Sequence, residues 1–72
     1  MRRSYNKAVK VFREFIARHA DYQLAWEQLG RCYEKMGKND AALKTWGEVL
    51  EQRPNDEIAK RAVQRIRHGT KG

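Results

Sequence analysis

A chain of 72 residues has room for one small domain, whose single core is marginally stable on its own. No apolar run approaches the roughly 20 residues of a membrane-spanning helix, and the start MRRSYNKAVKVF, interrupted by Lys7, Lys10 and Arg13, does not read as a secretory signal. A lone cysteine (Cys32), one proline, 35% charged and 40% apolar residues exclude a disulfide scaffold and a disordered tail, leaving a soluble all-helical domain expected in the cytoplasm.

The net charge of +7 is unevenly distributed. Residues 1–20 carry six bases and one acid, residues 21–56 five bases and seven acids, and residues 57–72 five bases and one acid. The two ends are basic and the middle is slightly acidic.

Apolar periodicity predicts four helices and no strand. In the first, over 4–19 with Ser4 as N-cap, Tyr5, Ala8, Val9, Val11, Phe12, Phe15 and Ile16 share an arc roughly 160° wide. Asp21 can cap a second helix that runs to Met36, where Gly37 supplies the stop. Asn39 or Asp40 starts a third, with Ala42, Leu43, Trp46, Val49 and Leu50 on one face, ending before Pro54 because proline disfavours helical geometry at Arg53. Asn55 or Asp56 can cap a fourth, over 57–69, whose apolar side is Ile58, Ala59, Ala62, Val63 and Ile66; the tail HGTKG is expected to fray.

The chain repeats itself at an offset of 34 residues: Ala8 and Ala42, Val9 and Leu43, Phe12 and Trp46, Ile16 and Leu50, Ala25 and Ala59, Leu29 and Val63 are like-for-like pairs. Residues 23–56, with Trp26, Leu29, Gly30, Tyr33, Gly37, Ala42, Trp46, Leu50 and Pro54, resemble one complete tetratricopeptide repeat. The resemblance implies an antiparallel helix-turn-helix unit, an α-solenoid fragment in which Gly30 and Ala42 are small so that helices approach closely. Trp46 is larger than the family's usual aromatic, and Val49 stands where alanine is common. Residues 4–19 match only the second helix of a preceding repeat. Residues 57–69 match the first helix of a following one, with Lys60, Gln64 and Arg67 in place of tryptophan, glycine and tyrosine, as in a solvated cap.

No grouping reads as catalytic. Glu27 and Glu34 are seven residues apart and read as helix-surface charge, Cys32 as a packed thiol, and His19 and His68 form no metal spacing with it. No enzyme activity, cofactor or metal is expected. The resemblance implies instead a protein-interaction module or scaffold whose first-type helices line a shallow groove for a peptide or partner helix. The positions concerned are Leu24, Glu27, Gln28, Arg31, Glu34, Lys35, Ile58, Arg61 and Arg65.

Two further expectations follow from charge and exposure. Arg3, Lys7 and Lys10 share one face of the first helix, and Arg61 and Arg65 one face of the fourth, so a basic domain binding nucleic acid or an acidic surface is the alternative. No aromatic interleaves with these bases and the acidic middle interrupts them, which counts against nucleic acid. The wide apolar arc of the first helix, with Tyr5, Val11, Phe12 and Phe15, exceeds what one neighbour covers and predicts weak homodimerisation.

Overall fold

The computed structural model describes residues 2–69, and the side chains of 4–69. Within them lie four helices and no strand: α1 (Arg2–Arg18), α2 (Gln23–Lys35), α3 (Asn39–Gln52) and α4 (Glu57–Gly69). Each packs chiefly against its neighbour in sequence.

The helix ends show which local signals decide. Gly37 has φ +78°, its N–H donates to Glu34 O at 3.0 Å, and the Lys38 N–H donates to Tyr33 O at 2.9 Å, so two otherwise orphaned carbonyls of α2 are satisfied. A side chain at Gly37 would meet no atom within 4 Å, and any cost of adding one is therefore backbone strain. Gly37→Ala is expected to lose about 1–2 kcal/mol. Thermal unfolding followed by circular dichroism should show a drop of about 4–8 °C per kcal/mol lost.

At Arg53 the backbone leaves the helical region (φ −135°, ψ 83°), as the following Pro54 requires. Asp56 caps α4, its Oδ1 accepting from the Ala59 N–H at 2.9 Å.

Two expected caps are corrected. Ser4 lies inside α1, which already starts at Arg2, because Arg2 and Arg3 are good helix formers and nothing breaks the turn before Ser4. Asp21 caps nothing: a turn closed by the Tyr22 N–H to His19 O (3.0 Å) carries the chain past it, and Tyr22, in extended geometry, is the N-cap of α2 without a side-chain bond. Of the tail, His68 and Gly69 belong to α4, while Thr70–Gly72 lie outside the described residues.

The core forms two linked clusters. Ala42, Trp46 and Val49 of α3 pack on Ala59, Ala62 and Ile66 of α4, and Ile16 of α1 packs on Ala25 and Leu29 of α2. Trp26 and Tyr33, half-buried on α2, border both. Because Ala59, Ala62 and Ile66 turn toward α3, Ile58, Arg61 and Arg65 fall together on one flank of α4. That fixes the face on which a site can form.

Candidate functional site

Arg31, Glu34 and Lys35 lie along one side of α2, and Ile58, Arg61 and Arg65 along one side of α4. The two helices pack on α3 with a gap between these sides, and the six residues line a cavity of about 500 Å³. The cavity is open and shallow, lined by long charged side chains around Ile58, itself half exposed.

Glu34 holds the floor of this groove together. Its Oε2 accepts from the Trp46 indole Nε1 at 2.8 Å, and its Oε1 accepts from Arg65 Nε at 3.1 Å and Nη2 at 2.9 Å. One carboxylate thus joins α2 to the buried Trp46 of α3 and to α4. The Arg65 pair alone adds little, since its guanidinium is largely in water. The indole bond adds more, since Trp46 is fully buried and its N–H has no access to solvent.

With Glu34 engaged in this way, the groove's charge is set by its bases. Arg31, Lys35 and Arg61 are exposed and make no ion pair with another described residue. A positive groove with an apolar contact at Ile58 attracts an acidic segment and repels a basic one.

The other expected groove residues lie elsewhere. Leu24 and Gln28 face a second hollow, shared with α1, and Glu27 accepts from Gln23 Nε2 at 3.2 Å beside the start of α2. Val11 and Phe15 on α1 are exposed, whereas Tyr5 and Phe12 are half-buried. Of the basic stripe on α1, Lys7 and Lys10 are exposed and the side chain of Arg3 lies outside the described residues.

Three contacts had no sequence signal. Trp26 Nε1 donates to Ala20 O at 2.7 Å, Gln23 donates to Asp56 across 33 residues, and Arg65 reaches Glu34 across 31. The first depends on the path of the turn between α1 and α2 and the other two on how the helices pack, neither of which helical periodicity reports.

Among the described residues no three His, Cys, Asp or Glu side chains gather as a metal site would require. Cys32 is buried, and desolvation pushes its thiol pKa up, away from the reactive thiolate. His19 stacks on Phe15, ring centroids 4.7 Å apart.

At the crossing of α2 and α3, a Cβ on Gly30 would lie 2.6 Å from Trp46 Cε2 and 2.7 Å from its Nε1. The close approach expected from a glycine in the apolar face is thus present in the structure, with a tryptophan as the neighbour.

A sequence model of the tetratricopeptide repeat matches residues 2–66, nearly the whole chain. No curated protein and no solved structure matches it.

Proposed function

Since the chain belongs to the tetratricopeptide repeat family, whose repeats are protein-interaction units, we propose that it binds an acidic peptide or helix in the groove between α2 and α4. The observation that supports this most is the convergence of Arg31, Lys35 and Arg61 around Ile58, with the neighbouring acid, Glu34, already committed to Trp46 and Arg65. Hydrophobic contact at Ile58 supplies affinity, and the surrounding cations supply orientation and a fast approach. No described helix is long and apolar enough to cross a membrane.

The test is capture by the immobilised chain from a cell extract, compared with the double variant Lys35→Glu with Arg61→Glu. Both side chains are exposed, so the variant is expected to keep its helical circular dichroism while its partners fall away. Unchanged capture would contradict the groove. Recovery of nucleic acid in place of protein, with affinity that drops steeply as salt rises, would favour the alternative reading, in which the basic helices α1 and α4 neutralise phosphates.

A further inference from the structure

The groove between α2 and α4 carries more positive charge than one acidic side chain can use. The two helices run in the same direction, since Gln23 donates to Asp56 near their starts and Arg65 donates to Glu34 toward their ends. Glu34 and Arg65 therefore mark a common level. One turn earlier, three residues before Glu34 and four before Arg65, stand Arg31 and Arg61. At a helical rise of about 1.5 Å per residue, their heights differ by only about 1.5 Å, and they face the same hollow from opposite walls.

No acid is free to pair with them. Glu34 is the only acid among the six lining residues, and both its oxygens are taken: Oε1 by Arg65 Nε and Nη2, and Oε2 by the Trp46 indole and by Arg65 Nη2 at 3.0 Å. Glu27, the preceding acid on α2, accepts from Gln23 and does not line the hollow. Arg31, Lys35 and Arg61 make no ion pair with another described residue. Two guanidinium groups and one ammonium thus share about 500 Å³ of open hollow. Like charges gathered in this way are stabilised by a ligand that brings the opposite charge.

We propose, resting on the reading that this groove binds an acidic segment, that the group it holds is the phosphate of a phosphorylated serine or threonine in that segment. A carboxylate carries one charge and two oxygens, which a single guanidinium fork satisfies. A phosphate monoester carries close to two charges at neutral pH and three acceptor oxygens. It takes one fork from Arg31 on α2, a second from Arg61 on α4, and the ammonium of Lys35, one turn along α2 from Arg31. Ile58, half exposed one turn before Arg61, supplies an apolar contact for a residue beside the phosphorylated one.

The probes are three pools of short labelled peptides, blocked at both ends and drawn from glutamate, aspartate, leucine and isoleucine. They differ only in a fixed central residue: phosphoserine, glutamate or serine. Binding to the whole chain is read by fluorescence anisotropy. The phosphoserine pool is expected to bind about tenfold more tightly than the glutamate pool, the effect of one further charge-assisted hydrogen bond. Arg61→Glu should abolish this advantage. Arg31→Lys with Arg61→Lys, which keeps the charges and removes the forks, should reduce it to about twofold. Lys44→Gln, on the exposed side of α3, should leave it intact, and circular dichroism checks that each variant keeps its helices.

Equal binding of the phosphoserine and glutamate pools overturns the proposal and leaves the acidic groove standing. Failure of all three pools contradicts both. An advantage that survives Arg61→Glu, or is unaltered in the lysine variant, places the phosphate elsewhere and also overturns it. So does a single-stranded oligonucleotide that binds more tightly than the phosphoserine pool and is lost in Arg61→Glu, since it assigns these cations to nucleic acid.

Discussion

Gly30→Leu is expected to abolish cooperative unfolding at 25 °C. Even the first atom of a side chain at this position falls 2.6 Å from Trp46 Cε2, well inside van der Waals contact. Trp46 is fully buried between α2 and α4 and cannot swing into solvent to make room. Overpacking a core usually costs about 1–3 kcal/mol per insertion, and a domain of this size rarely has more than about 3–5 kcal/mol in total. Gly30→Ala is the sharper test of cause. Alanine gains about 1 kcal/mol of helix propensity over glycine, so a neutral site would become more stable. The clash with Trp46 makes the expected change a loss instead, read as a lower midpoint in urea. A raised midpoint would show that α2 and α3 do not approach closely at this point.

Trp46→Ala is expected to unfold the chain as well, for the opposite reason. It removes the largest fully buried side chain and opens a cavity where α2, α3 and α4 meet, at a cost of about 3–5 kcal/mol. The same substitution takes the indole donor away from Glu34. Trp46→Phe shifts the balance between the two effects: it keeps one ring in the core, loses the N–H and leaves a smaller cavity than alanine, with an expected cost of about 1–3 kcal/mol. If Trp46→Phe is as damaging as Trp46→Ala, the Glu34 bond dominates the site; if Trp46→Ala is mild, Trp46 is not the centre of the core. Both are readable by urea denaturation with circular dichroism as the probe.

Much of this framework was legible in the residues because helical periodicity and local backbone preferences carry it. Gly37, Pro54 and Asp56 mark helix ends through their own backbone or side-chain chemistry, and all three end or begin helices where expected. Ser4 and Asp21 failed as caps because a capping residue is an opportunity, and the neighbouring turn decides whether it is taken. The groove was legible in part. Arg31, Lys35, Ile58, Arg61 and Arg65 fall together because each lies on the outward side of its own helix. Glu34 shares that spacing, yet the structure draws it inward to Trp46 and Arg65, and no pattern within one helix reveals a partner 31 residues away. Leu24 and Gln28 were grouped with the groove on helix phase and on what the family resemblance implies, whereas they line a different hollow, between α1 and α2.

The role of the groove is tested most directly by nuclear magnetic resonance. The isotope-labelled chain is titrated with the acidic segment of a captured partner, and the backbone amide shifts are mapped. The largest changes are expected at Arg31, Lys35, Ile58 and Arg61, while Lys44, Glu48 and Glu51 on the exposed side of α3 stay still. Shifts centred on that side of α3, with the α2 and α4 groove unaffected, would contradict that role.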